Sequence, residues 1–564
     1  MTQTTSKIGV QILLEAFIHH GIEDIVFSPG SRNAPLVIGL VGSGKFRSVC
    51  IHDERSAAFY AMGMALVSRK PVPVICTSGS AVLNYAPAVA EAYYQRIPFL
   101  VVSADRPLEW IDQGDGQTIR QQGVFNNFID YQVSFPKEAI EPSMLSLYNG
   151  AIQKALGFAQ SGPVHINIPF EEPLYKTIDY HPLNLPQYKN DRPTYDTLTL
   201  DYSALAHEWL SHEKRMIIVG QSVPNQTLSE ALKTFATDPN TIVLSENTSN
   251  VDVDGIVPCI DRVLAAFQAD DDDYQPSCLL VLGGAVISKK IKTLLRASNL
   301  QLVWKVGVDF PEMTTYGRLD ASFALPGEIF LKNLTSKLEP STLSNKQNFG
   351  NLWRNTFQHT ENRHLEFLNN TEYSDLKVVE TILNTIPETS VLHLGNSSVA
   401  RYAQLFQCKK KLEFHCNRGT SGIDGSLSTA VGAAAKQDDK MHTLIVGDVS
   451  FFYDSNALWN NYLTDNLRVV LIHNGGGGIF EIIPGPNDSS FRDEFFVAKH
   501  DFSAGKICEG FYIDYKYVAE IDSLKHALEE LYKPSINGRP KLLEIDTKHV
   551  NNSAVLNNYF KAMK

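Results

Sequence analysis

Short apolar runs recur along this chain, separated by longer stretches with helical spacing. In the first third, residues 24–28, 46–52, 72–77 and 99–103 read as strands. The pattern between them predicts helices over 54–68 and 81–95, and PVHINIP at 163–169 reads as the last strand of this unit. Strand-like runs alternating with helical ones indicate a parallel α/β sheet. The opening stretch to Ile22 reads as an amphipathic helix. A Pro-, Asn- and Tyr-rich stretch at 174–193 reads as a linker. The middle third alternates again, with RMIIVG, TIVLSE, CLLVLGG and LQLVWKVG as strands and an acidic turn at 270–273. Polar sequence at 340–351 makes a second linker. The last third carries VLHLG, KLEFHC, TLIVGD, LRVVLIHN and KLLEID. The expected fold is therefore α/β: three consecutive parallel-sheet domains over 1–180, 190–340 and 355–564.

Composition narrows the function. The chain has 564 residues, 43% of them hydrophobic and 20% charged, as large globular cores require. Its net charge of −12 disfavours nucleic-acid phosphate as the main partner. Seven scattered cysteines without a C-x-x-C pair fit reduced thiols. No apolar run reaches the ~18 residues of a membrane span, and the N-terminus lacks the apolar core of a signal peptide. The expected location is cytoplasmic.

The chemistry is densest in GDVSFFYDSNALWNNYLTDNLRVVLIHN, which reads as strand 443–446, a Gly-Asp turn, a helix at about 456–463 and strand 468–472. A crossover of this kind returns Asp448 and Asn474 to the same end of a parallel sheet. A carboxylate and an amide oxygen there suit Mg²⁺, which takes hard oxygen ligands and leaves room for a diphosphate. Glycines 475–478 let backbone approach that diphosphate. An ordinary crossover with a polar turn is the other reading of these residues. Nearby decoys carry little: GLVGSGKF at 39–46 has Phe46 where a P-loop needs Ser or Thr, and there is neither an H-E-x-x-H nor a Gly-x-Ser-x-Gly elbow.

The Gly-Asp…Asn segment resembles the signature of thiamine-diphosphate enzymes. The resemblance implies that Asp448, Asn474 and the carbonyl of Gly476 hold Mg²⁺ or Mn²⁺, with Gly447 beside the coenzyme. Val449 and His473 depart from the commonest wording, at positions that supply no metal ligand. The three-domain order matches the decarboxylase type, whose coenzyme lies between the first and third domains of different subunits. That implies a homodimer or homotetramer. Such a coenzyme needs a carboxylic acid on its pyrimidine nitrogen. HDERSAAFYAMGMA resembles the helix carrying it, which makes Glu54 the catalytic candidate and Asp53 the N-cap. From spacing alone, Glu54 also reads as a first-turn acid favoured by the helix dipole. The small residues that follow suit close subunit packing.

Arg32, Arg106, Arg401 and Arg418 fall in loops at predicted strand ends, where α/β sheets place ligands. Their planar forks suit carboxylates, and surface salt bridges are the other reading of each. SPGSRNAPL, HDERSAAF, SADRP, GNSSVAR, NRGTSGIDG and GDVSFFYDSNAL together resemble the 2-succinyl-5-enolpyruvyl-6-hydroxy-3-cyclohexene-1-carboxylate synthase family of menaquinone biosynthesis. The match covers the first and third domains. It implies decarboxylation of 2-oxoglutarate and conjugate addition of the resulting carbanion to isochorismate. By the same resemblance Arg401 and Arg418 hold the carboxylate derived from 2-oxoglutarate. Ser31, Arg32, Arg106 and Gln117 receive isochorismate, and Ser397 adds a polar contact. Ile423 wedges the coenzyme into its bent shape, a position that an ordinary core residue explains as well, and Phe480 and Ile483 wall the thiazolium. Gly116 stands where some relatives carry a polar residue. The alternatives are another thiamine-diphosphate decarboxylase or carboligase, and a non-catalytic nucleotide-binding protein of the same fold.

Overall fold

The computed structural model describes residues 3–136, 138, 142–186, 200–310, 313–338, 348–408, 410–482 and 489–564. The chain opens with β1 (Gln3–Thr5), then a helix over Ile8–His19. The first sheet follows: β2 (Asp24–Phe27), β3 (Arg47–Cys50), β4 (Val72–Cys76), β5 (Phe99–Asp105), β6 (Tyr131–Ser134) and β7 (Pro163–Pro169), in spatial order β3-β2-β4-β5-β7-β6. Every pairing is parallel. β8 (Thr177–Asp179) returns to pair antiparallel with β1.

The middle sheet holds β9 (Arg215–Val219), β10 (Thr241–Ser245), β11 (Cys278–Leu282), β12 (Leu302–Val306) and β13 (Ala321–Phe323), in order β10-β9-β11-β12-β13. The third holds β14 (Val391–Leu394), β15 (Glu413–Cys416), β16 (His442–Gly447), β17 (Leu467–His473), β18 (Asp514–Val518) and β19 (Lys541–Asp546), in order β15-β14-β16-β17-β19-β18. Both are wholly parallel. The first and third sheets thus share one strand order. Each has its topological switch point beside its first strand, at β2/β4 and at β14/β16, where open α/β sheets bind ligands.

Every interior strand read from the sequence is present, because strands covered on both faces must be apolar throughout. The edge strands β6, β13 and β18 escape that reading. β18, DYKYV, is exposed at most positions and carries no apolar run. Four other expectations change. The 81–95 helix is broken into Ser80–Asn84 and Ala86–Gln95, because Pro87 has no N–H for the preceding turn. The opening helix is not amphipathic: Gly9 to Leu14 are buried without interruption. The 174–193 linker contains β8, its last residues lying outside the described residues. Of the 340–351 linker, Phe349–Asn369 already begins a 21-residue helix. The near-P-loop is the end of helix Ala34–Gly42 and a turn at Gly44.

The helix Glu54–Ser68 is present with the expected bounds, and its small face meets the third unit of the same chain rather than another subunit. It packs on the helix Ser426–Lys436 so closely that a Cβ on Gly63 would lie 2.1 Å from the Thr429 carbonyl oxygen, and one on Gly432 2.0 Å from that of Tyr60. One apolar cluster therefore runs from Ala58, Ala61 and Ala65 into Leu427, Ala430 and Ala434. At about 25 cal/mol per Å² of apolar surface buried, such a seam holds the outer units together within one chain.

A polar stack interrupts the third core. His393, His415 and His442 occupy adjacent strands β14, β15 and β16, all buried. His393 Nε2 and His442 Nδ1 are 3.0 Å apart, and His415 Nε2 lies 3.0 Å from Glu413 Oε1. Burial pushes His442 down to about 3 and His393 well below its ordinary value, with the neighbouring imidazoles adding to the effect. The unfolded chain therefore binds protons near pH 6.5 that the folded chain refuses. Stability is whole above that pH and falls as pH drops toward 3, by about 1.4 kcal/mol per pH unit for each ring. Urea midpoints should fall from pH 7.5 to pH 5.5, and His442→Gln should lose less over that interval. Equal losses in the two proteins would show that the stack does not set the acid limit.

Candidate active site

The C-terminal ends of β14 to β17 carry the site. Asp448 follows Gly447, the last residue of β16, and opens the helix Asp448–Tyr453. A helix was expected at about 456–463. It starts instead at Asp448, whose carboxylate accepts from one free N–H of the first turn, that of Val449, and only a 3₁₀ turn, Ser455–Leu458, lies further on. Val449 N–H donates to Asp448 Oδ1 at 2.7 Å, and Gly475 and Gly476 N–H donate to Oδ2 at 2.7 and 3.0 Å. Asp448 is 1% exposed, and burial raises its pKa against the pull of His473 and His500. The loop after β17 can wrap this carboxylate only with glycine. Gly476 has φ +149°, and a Cβ there would lie 2.6 Å from the Val497 carbonyl oxygen.

Asn474 is turned by a residue that sequence reading did not single out. Its Nδ2 donates to Asp375 Oδ2 at 3.1 Å, and Thr547 Oγ1 donates to Asp375 Oδ1 at 2.6 Å. The amide nitrogen is thereby committed, leaving Oδ1 as the donor atom for a cation. Asp375 is fully enclosed, which pushes its pKa up to about 6. The Gly476 carbonyl accepts from Gly478 N–H at 2.9 Å, using one of its two lone pairs. Carboxylate, amide oxygen and carbonyl form a hard-oxygen set that fits a hexacoordinate divalent ion with a diphosphate. A cavity of about 690 Å³ opens beside them, lined by Asp375, Asn474, Gly475, Gly478, His500 and Lys548 among others. None of its lining residues comes from the first sheet's unit.

The neighbouring loops bring the other third-unit candidates to the same strand ends. Ser397 follows β14 with φ +75°, a strained conformation for a residue with a side chain, and caps the helix Ser398–Ala403 that carries Arg401. Arg401 is largely enclosed, which lowers its pKa, and its Nε has no hydrogen-bond partner. Arg418 follows β15, and its guanidinium donates to Asn396 Oδ1 at 2.9 Å. Asn396 Nδ2 also donates to the carbonyls of Asn417 and Gly422, at 2.7 and 2.6 Å, and so shapes the Arg418 loop. Glu91 of the first unit grips the same loop through the N–H groups of Gly419 and Thr420 at 2.7 and 2.6 Å. A lone acid inside the apolar helix APAVAEAYYQ was the available signal for Glu91. Ile423 is half-buried, and its carbonyl accepts from Ser450 Oγ at 2.9 Å, which places the loop against the Asp448 helix. Phe480 packs near Phe496, with ring centroids 5.9 Å apart. Ile483 lies outside the described residues.

The first unit gathers its own set at the ends of β2, β3, β4 and β5. Asp53 caps the Glu54 helix, its carboxylate accepting from Ser56 N–H at 2.9 Å. Glu54 is half-buried, and its pKa is raised by burial and then by the Asp53 charge. Arg32 is 5% exposed and donates to the Phe170 carbonyl at 2.9 Å. Its pKa is lowered by burial and by the nearby Arg106 charge. Arg106 donates to the Gly116 carbonyl at 3.1 Å, and Gln117, at φ +55°, packs against Gly79. Ser31 and Gln117 are exposed. Arg32, Arg106 and Gln117 thus share one rim, which does not border the third-unit cavity within the chain.

Comparison with known proteins agrees with this division. Residues 8–127 match the family model for the thiamine pyrophosphate enzyme N-terminal TPP binding domain, and 394–545 match that for the C-terminal TPP binding domain. The chain is similar to the 2-succinyl-5-enolpyruvyl-6-hydroxy-3-cyclohexene-1-carboxylate synthase of Christiangramia forsetii, 41% identical over 96% of both chains. It is similar to that of Flavobacterium johnsoniae, 39% identical over 98% of both. With that of Porphyromonas gingivalis it is 36% identical over 99% of this chain and 97% of the other.

Proposed function

The chain belongs to the 2-succinyl-5-enolpyruvyl-6-hydroxy-3-cyclohexene-1-carboxylate synthase family, and from that premise we propose how its residues divide the work. It is a thiamine-diphosphate-dependent transferase of menaquinone biosynthesis, and it uses a divalent metal ion. It decarboxylates 2-oxoglutarate and adds the resulting carbanion to isochorismate. When bound, thiamine diphosphate supplies an acidic ring carbon that serves as nucleophile and electron sink.

Asp448, Asn474 and the Gly476 carbonyl hold Mg²⁺ or Mn²⁺, with Gly447 backbone beside the diphosphate. Ile423, Phe480 and Ile483 form the apolar walls and keep water from the reacting carbon. Glu54 holds and exchanges a proton at the pyrimidine nitrogen. Arg401 and Arg418 take the carboxylate of 2-oxoglutarate, with Ser397 nearby. Ser31, Arg32, Arg106 and Gln117 take isochorismate. The reading rests most on the Asp448 carboxylate, fixed by three N–H donors beside an amide whose nitrogen Asp375 has committed.

Neither Glu54 nor the Arg32–Arg106 rim lines the cavity of its own chain. The complete site therefore forms between two subunits, and a homodimer, alone or within a homotetramer, is the smallest active unit. The domain limits are 1–180, 190–340 and 355–564. Among the described residues no helix is long and apolar enough to cross a membrane, and the location we assign is cytoplasmic.

The test is one incubation with isochorismate, 2-oxoglutarate, thiamine diphosphate and Mg²⁺, read by mass spectrometry. We expect the succinyl adduct and one CO₂ per turnover, lost when any component is left out. CO₂ from pyruvate at a rate equal to that from 2-oxoglutarate would instead favour a general decarboxylase.

A further inference from the structure

Two imidazoles approach Asp448 Oδ2. His473 closes β17 and is 1% exposed. Its Nδ1 lies 2.5 Å from Glu544 Oε1, and Tyr515 OH donates to Glu544 Oε2 at 2.6 Å. A carboxylate only accepts, so Nδ1 carries a proton, and in the neutral ring that tautomer leaves the lone pair on Nε2. That Nε2 is buried without a hydrogen-bond partner and lies 3.7 Å from Asp448 Oδ2. His500 comes from a different loop, with Nε2 3.6 Å from the same oxygen. The two rings are 5.3 Å apart and tilted by 30°. The ligand atoms of Asp448, His473 and His500 all lie within 4.8 Å of one another.

These separations are too long for hydrogen bonds. At 3.6 and 3.7 Å they lie at and just beyond the roughly 3–3.6 Å that separates donor atoms sharing one cation with bonds of about 2.0–2.2 Å. A carboxylate behind a ligating histidine is also the usual support for such a ligand, fixing tautomer and ring orientation. His473 is already in that state. His500 is held between Phe452 and Phe502, and its Nδ1 accepts a long contact of 3.4 Å from Phe502 N–H. Metal binding at Nε2 puts the proton on Nδ1, so this contact must open.

We propose that Asp448, His473 and His500 form a site for a borderline transition-metal ion, Zn²⁺, Co²⁺ or Ni²⁺, in the coenzyme-free protein. Two nitrogens and one oxygen suit these ions and not Mg²⁺, which demands oxygen. The site also competes with coenzyme loading. Gly475 and Gly476 N–H both donate to Oδ2, the oxygen that the two histidines face, and Val449 N–H takes part of Oδ1, so an ion on the histidines must displace one of these contacts and the carboxylate has room for a single ion. A transition metal on the two histidines therefore keeps Asp448 from the Mg²⁺ that anchors the diphosphate. Only this competition rests on the proposed coenzyme role of Asp448; the nitrogen site does not.

The probe is Co²⁺ added to the full-length protein freed of coenzyme and metal. One Co²⁺ per chain should bind with visible ligand-field bands, be displaced by Zn²⁺ and resist a large excess of Mg²⁺. His473→Asn and His500→Asn should each weaken Co²⁺ by at least about 100-fold, and Glu544→Gln by the ~10-fold expected of a lost supporting carboxylate. X-ray absorption of the unmodified protein's Zn²⁺ complex needs no variant, and should report two imidazole nitrogens. Oxygen-only coordination, or Co²⁺ affinity unchanged in both histidine variants, overturns the proposal. Calorimetry then separates the two readings. Thiamine diphosphate with Mg²⁺ should bind the metal-free protein, which tests the coenzyme site alone. Saturating Zn²⁺ should weaken that binding in the unmodified protein and not in His473→Asn; an equal effect in both removes the competition.

Discussion

Glu54→Gln should abolish turnover while leaving the coenzyme bound. Glu54 is the first residue of its helix, held there by the Asp53 cap. Burial and the neighbouring Asp53 both disfavour its anion. In the proposed dimer, a second subunit closing over it adds to the burial. Such a carboxyl can hold a proton near neutral pH and still release it, which a glutamine of the same shape cannot. The expected loss in kcat is about 10²–10⁴-fold, the range of a positioned acid–base group. Calorimetry should find coenzyme affinity changed by no more than about threefold, since the diphosphate clamp is untouched. Hydrogen–deuterium exchange at the coenzyme's reactive carbon, followed by NMR, should slow in step with turnover. A variant with near-normal exchange would remove Glu54 from the mechanism.

Asp448→Asn should fail at the earlier step. An amide in this position offers one oxygen to the three N–H groups of Val449, Gly475 and Gly476, and turns N–H against the remaining donors. It also removes the only negative charge in the proposed oxygen set. Coenzyme affinity in Mg²⁺ should fall by more than about 100-fold, or ~2.8 kcal/mol. The pairing of this variant with Glu54→Gln is more informative than either alone. Each homo-oligomer should be inactive. A mixed dimer, purified through two different tags, should regain about half the unmodified activity, because one of its two shared sites combines an intact Glu54 with an intact Asp448. No regain places both halves of the site in one chain and refutes the shared site.

The parts of this fold visible in the linear pattern were those decided by burial. β4, β5, β9, β11 and β17 lie inside parallel sheets with helices on both faces, so both sides of each strand had to be apolar. β18 sits at an edge, needs no such run, and was invisible. The candidate site divides likewise. Asp448 and Asn474 were legible because one short crossover links them, and strand–helix–strand geometry returns its two ends to one edge. Asp375 was not: it meets Asn474 across 99 residues. Glu91 reaches the Arg418 loop from another unit altogether, 328 residues from Gly419.

By itself the amino-acid sequence determined three parallel α/β units, the convergence of Asp448 and Asn474 at the two ends of one crossover, and the helix that starts at Glu54, because each depends on periodicity, capping or loop length within a few tens of residues. Tertiary structure alone decided that the small face of that helix packs on its own chain's third unit, that His473 meets Glu544 and Asp448, and that the first-unit rim stands apart from the third-unit cavity. Those outcomes follow from how sheets and helices stack. Side chains distant in the chain are brought together by that stacking, and no local pattern records which ones will meet.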